Sequence, residues 1–174
     1  MTQLKVFEIP DPVLRKKAEK VETVTPEIQQ LLTDMLETMY STHGVGLAGN
    51  QVGVLKRVVV MDCADEQEKP NPIKMVNPEI IAKSDEIVLH NEGCLSVPRE
   101  YADVERHSWV IVRYTDENGQ IQECKATGLL SICVQHELEH LDGILFIDHL
   151  SSLKRQRLVK HLEKRRRREA EENE

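Results

Sequence analysis

Long apolar runs are missing from this 174-residue chain. None approaches the roughly 20 residues that a membrane-spanning helix needs, so no contact with a membrane is expected. The opening stretch, MTQLKVFEIPDPVLRKKAEK, has no apolar h-region, so a secretory signal is not expected either. Cysteine is sparse: Cys63, Cys94, Cys124 and Cys133. Without export features these are expected as thiols, leaving one of them available as a ligand, and the expected compartment is the cytoplasm. Internal repeats, linkers and a break in composition are also lacking, and the length suits one compact core.

Charge is plentiful but uneven. Residues 154–168 hold nine Lys or Arg against one acid, Glu163, and 169–174 add four acids. That tail is about +4, so the rest of the −7 chain is near −11. Any contact with a polyanion is therefore expected through the tail.

The pattern predicts α+β architecture with mostly antiparallel sheets. Asp11-Pro12 opens a short helix to about Ala18, and Thr25-Pro26 opens a longer one. Ile28, Leu31, Leu32, Met35, Leu36, Met39 and Tyr40 follow at helical spacing, with Gly44 as the expected stop. RVVVMD (57–62) reads as a buried strand. IKMVNPEII (73–81) and EIVLHNEG (86–93) flank a turn at Ser84-Asp85. WVIVRYT and IQECKAT bracket DENGQ, a hairpin signal at Asn118-Gly119. Thr127 is the expected cap of a helix over 129–141, with Gly143 as its C′ residue. Ser151 or Ser152 caps a C-terminal helix, whose far end is expected to fray.

Residues 44–49, GVGLAG, match the dinucleotide fingerprint letter by letter. That fingerprint needs a strand before it and a helix after it, and here the order is reversed. The glycines read instead as a tight loop whose backbone approaches something closely. Gln51 lies just beyond, with an amide that both donates and accepts.

The helix at 129–141 raises a sharper question. It is apolar all round, yet it carries His136, Glu137 and His140. Residues four apart share a helix face, so two imidazoles can reach one ion while Glu137 stands beside it as a general base. The bland alternative is an exposed polar stripe, which the apolar neighbours Leu130, Cys133, Val134, Leu138 and Leu141 oppose. A catalytic site needs a third ligand. A metzincin-type histidine fails, because Phe146 occupies that position. Glu163 lies in the charged tail. Cys94, in EGCLSVP, is either a thiolate ligand or a small core residue.

Three ordered segments, GVGLAGNQ at 44–51, EGCLS at 92–96 and QHELEH at 135–140, make the chain similar to the peptide deformylases of bacteria. The likeness runs from DPVLRKKA to LFIDHLS. It implies a central buried helix carrying H-E-x-x-H amid the sheets, plus a C-terminal helix. Residues 1–150 would form a single catalytic metallohydrolase domain, and 151–174 a helix and charged tail. It also implies removal of the N-formyl group from nascent chains that begin with formyl-methionine, releasing formate. Cys94, His136 and His140 would hold one divalent ion, Fe²⁺ in the native enzyme, with Zn²⁺ or Ni²⁺ also fitting. Glu137 would move protons. The Leu95 N–H and the Gln51 amide would donate to the oxyanion. Val45, Leu129, Ile132 and Cys133 would line a methionine pocket with His90 at its edge. The Gly46 and Gly93 backbones would hold the peptide as an added strand. Glu92 and Arg106 would pair behind the ligands. Gram-negative relatives dock near the ribosomal exit tunnel through the C-terminal helix, so Arg165–Arg168 would meet rRNA phosphate. Gly49, His90 and Glu139 depart from the family pattern, which usually has alanine, an apolar residue and aspartate there. The competing readings are an H-E-x-x-H metallo-endopeptidase and a non-catalytic RNA-associated protein with a structural metal.

Overall fold

A computed structural model describes residues 2–174. Seven strands form two antiparallel sheets. The larger takes β1 (Gly46–Ala48), β2 (Val58–Met61), β3 (Ile73–Lys83), β6 (Trp109–Thr115) and β7 (Ile121–Thr127), in that spatial order. The smaller pairs β4 (Ile87–Cys94) with β5 (Val97–His107). The helices are α1 (Pro26–Ser41), α2 (Gly128–Leu141) and α3 (Ser152–Glu172). None is long and apolar enough to cross a membrane.

Strand β2 of the large sheet is buried on both faces, which explains why it is apolar without alternation. Val58 and Val60 pack with Leu32, Met35 and Met39 of α1. Val59 and Met61 pack with Val134, Leu138 and Leu141 of α2. A third cluster joins Val97 and Val104 of β5 to Phe146, Ile147 and two α3 leucines, Leu158 and Leu162.

Several local expectations need correction. The first helix is only a 3-10 turn, Pro12–Arg15, capped by the Asp11 carboxylate. The chain then leaves to bridge Glu19 with Lys56. The residue that ends α1 is His43 (φ 58), not Gly44. The Gly44 N–H bonds Met39 O and the His43 N–H bonds Tyr40 O, the paired bonds of a Schellman motif with His43 at C′. Gly44 is small for a different reason: a Cβ there would lie 2.7 Å from the Leu95 side chain. Gly46–Ala48 is an edge strand rather than a loop. Thr127 occupies the N-cap of α2, but its side chain makes no capping bond. The end of α3 does not fray early; it runs to Glu172 and is tied to the body. Strand β5, rich in charge, was not foreseen. Gly143 does sit at C′ of α2 (φ 76), with its own carbonyl accepting from Arg15.

Candidate metal centre

Helix α2 runs between the large sheet and the β4–β5 hairpin, so its polar face is buried from Ser131 to His140. His136 and His140 project from it together, with ring centroids 5.0 Å apart. Cys94, the last residue of β4, arrives from across the hairpin turn Leu95-Ser96. Its Sγ lies 3.3 Å from His140 Nε2, which is 3.3 Å from His136 Nε2. All three donor atoms fall within 4.8 Å of one another, the only such group among the described residues.

The protonation pattern suits a cation. His136 Nδ1 meets Glu92 Oε1 at 2.8 Å, which turns Nε2 toward the cluster as a lone-pair donor. Burial opposes charge on His136, yet the Cys94 sulfur and the Glu92 carboxylate hold its pKa well above the usual value. Burial, with the His136 charge beside it, drives His140 well below its usual value, so it is neutral. Without an ion the positive charge sits on His136 itself; a bound cation would take its place among the sulfur and the two ring nitrogens. A soft thiolate with two imidazoles is a donor set for a divalent transition ion.

Glu137 Oε1 is 3.9 Å from His136 Nε2, while its Oε2 is buried without a hydrogen-bond partner. Burial pushes its pKa up to about 7. Glu92 is braced from behind. Arg106 donates through Nε to Oε2 (2.6 Å) and through Nη2 to Oε1 (2.9 Å), both groups being nearly sealed from solvent. Burial alone would raise the Glu92 pKa, but these bonds and His136 pull it down to about 2. Arg106 reaches on to Glu139 Oε1 at 2.5 Å, and Glu139 also meets His149 Nε2.

Gln51 is held by its own neighbours. Its Oε1 accepts from Ala48 N (3.0 Å) and its Nε2 donates to Ser96 Oγ (3.1 Å), with Cys94 Sγ at 3.5 Å. Ser96 in turn donates to Phe7 O. Ser96 was missed from sequence, although it stands inside the EGCLS segment. The cleft over the cluster, about 500 Å³, is lined by Val45, Gly46, Gln51, His90, Glu92, Gly93, Leu95, Leu129, Ile132, Cys133 and Glu137. His90 keeps an unpartnered, buried Nδ1. A Cβ on Gly46 would lie 2.9 Å from both Cys133 Sγ and Glu137, so only glycine lets that edge strand pass the base.

The family model described as polypeptide deformylase matches residues 3–156. A peptide deformylase from Agrobacterium fabrum is 47% identical over 164 residues, covering 94% of this chain and 96% of the relative. The crystal structure of peptide deformylase from Ehrlichia chaffeensis superposes with TM-score 0.93 at 38% identity, covering 97% of this chain and 99% of that one. The structure of that enzyme in complex with actinonin gives 0.90 at 40%, covering 95% and 98%.

Proposed function

The chain belongs to the polypeptide deformylase family, and we propose that Cys94, His136 and His140 hold the catalytic ion and that Glu137 moves the protons. The reaction is metal-dependent hydrolysis of the N-formyl group from formyl-methionyl nascent polypeptides, releasing formate. The endopeptidase alternative is not favoured, since the relatives named above are deformylases. The observation that carries the residue assignment is the convergence of one sulfur and two ring nitrogens within 4.8 Å, beside an unpartnered carboxylate oxygen.

A divalent ion bound there supplies Lewis acidity, lowering the pKa of water toward neutrality and polarising the formyl oxygen. Glu137, the buried carboxylate beside the cluster, takes a proton from the attacking water and later delivers it to the leaving amine. The Leu95 N–H and Gln51 Nε2 donate to the oxygen that becomes negative, each worth about 3 kcal/mol. Ser96 holds the Gln51 amide in line. Glu92 and Arg106 fix the tautomer and orientation of His136. The methionine side chain sits against Val45, Leu129, Ile132 and Cys133, with His90 at the edge, and the Gly46 and Gly93 backbones bond the peptide as a strand.

The native ion is Fe²⁺, with Zn²⁺ or Ni²⁺ able to replace it, because availability rather than affinity selects among them. Residues 1–150 form the catalytic domain and 151–174 an appended helix, in a cytoplasmic enzyme. Ribosome docking uses α3, but not all of Arg165–Arg168. Arg165 and Arg166 bond the body, so the free cations beyond the first turn of α3 are Arg157, Lys160, Lys164, Arg167 and Arg168, a stripe at helical spacing opposite Leu158 and Leu162.

Replacement Glu137→Ala tests the assignment. The variant keeps its metal and its fold while hydrolysis of formyl-Met-Ala collapses, and neither protein cuts casein. Undiminished deformylation by the variant overturns the role of Glu137.

A further inference from the structure

We propose that Arg165 is a positioning residue for peptide binding: from α3 it holds the Pro98–Tyr101 wall of the cleft, and so governs affinity for formyl peptides longer than two residues. This rests on the deformylase reading. Pro98, Arg99, Glu100 and Tyr101 all line the cleft beside Gly93. The wall is bent at Arg99, whose φ of 61 lies in the left-handed region that L side chains rarely adopt. Nothing in the local sequence favours that bend, since there is no glycine, asparagine or aspartate at the position.

The bend is held from outside. His161, Arg165 and Glu169, four residues apart in succession, share one face of α3. His161 Nδ1 meets Glu100 Oε1 at 2.5 Å, and Glu169 pairs with Arg99. Arg165 alone of the three grips backbone. It donates to Pro98 O at 2.9 Å, to Arg99 O at 3.4 Å and to Glu100 Oε1 at 2.6 Å. The Arg165 and Glu100 side chains are only 20% and 11% exposed, so water screens this pair less than a surface one. The next residue, Arg166, holds a different part of the body, donating to Ile9 O and Glu8.

A formyl peptide with its first residue at the Cys94 cluster meets Val45, Ile132 and Cys133 at once. Its later residues pass Gly93 and reach the wall, where the Tyr101 ring stands two-thirds exposed (66%) against the glycine. On this path a dipeptide would end short of the wall and a tripeptide would reach it. Loosening the wall therefore weakens binding of the longer substrate alone and leaves the chemical step untouched.

The test compares metal-loaded wild type, Arg165→Ala, Arg165→Lys and Arg166→Ala on formyl-Met-Ala and formyl-Met-Ala-Ser. For Arg165→Ala, KM for the tripeptide rises roughly threefold to tenfold, the effect of about one ordinary hydrogen bond. Its kcat, and both constants for the dipeptide, stay at wild-type values. Arg165→Lys falls between, and Arg166→Ala matches wild type on both substrates. Amide exchange of the lysine variant accelerates at residues 99–101, which keeps the question answerable should the alanine variant not fold. Equal KM changes on the two substrates, no change on either, the same shift in Arg166→Ala, or unchanged exchange at 99–101 overturns the proposal. A wild type inert on formyl-Met-Ala instead sinks the deformylase reading itself.

Discussion

Replacing Glu137 by glutamine removes a buried charge while keeping shape. In the metal-free protein, burial raises this carboxyl from 4.5 to about 7. A carboxyl whose folded value is raised contributes nothing below pH 4.5, where both states are protonated. Between 4.5 and 7 the unfolded chain ionises freely and the folded one does not, so stability is lost as pH rises. Above 7 the loss levels off at about 3 kcal/mol, from 1.36 kcal/mol per pKa unit. The glutamine variant escapes that loss. Its new amide adds an offset that does not vary with pH, so the change with pH carries the information. For a chain of this length the melting temperature of the variant, relative to wild type, should climb by about 6 to 12 °C between pH 4.5 and pH 8. Thermal melts of metal-stripped wild type and variant in matched buffers measure this. Loading a divalent ion should shrink the gap, because its charge supports the carboxylate. A gap that is flat with pH, or that narrows as pH rises, refutes the assignment of a charge held unfavourably at Glu137. Such stability gained at the expense of catalysis is expected of a group whose placement serves chemistry.

Four further outcomes follow. Arg106→Ala leaves the buried Glu92 carboxylate with only His136 as partner, while Glu139 keeps His149; it should destabilise the fold by about 3–5 kcal/mol and lower metal affinity about 10- to 100-fold, read by denaturant melts and metal titration. Gly46→Ala drives a methyl into Glu137 and Cys133 and should lower kcat steeply, whereas Gly93→Ala meets only the movable Tyr101 ring and should spare it; steady-state kinetics on formyl-Met-Ala separates the two, and equal effects would sink the steric argument. If the ion is Fe²⁺, activity should decay in air through oxidation of iron or Cys94 and persist under reductant; full activity after long aerobic storage counts against iron. Charge reversal at Lys164 and Arg168 should weaken co-sedimentation with ribosomes and flatten its salt dependence, while unchanged binding rejects the proposed stripe.

Much of the candidate metal centre was legible because its signal is local. His136, Glu137 and His140 lie within one turn, where helical geometry alone decides which side chains face together. Their apolar flanks said that the turn is buried, and the structure seals it between sheet and hairpin. The same holds for Thr25, Ser151 and Gly143, whose positions at helix ends follow from backbone groups a few residues away. Strand β5 escaped notice because its pattern is charged. Its pairing with β4, rather than its own composition, makes it a strand.

What the sequence by itself determined is the helix with its two imidazoles, a glycine-rich segment whose backbone approaches something closely, and an acidic body with a basic end. The likeness of EGCLS and the helix motif already pointed to Cys94 and to a Glu92–Arg106 pair; only tertiary structure decided that the three donor atoms fall within 4.8 Å of one another, that Arg106 reaches on to Glu139, and that Arg165 and Arg166 are committed to the body. The physical reason is range. Helix periodicity and capping act over three or four residues and can be read directly. Which charge is desolvated, and which partner stands within hydrogen-bond reach of it, depends on strand register and layer packing that bring together residues far apart in the chain.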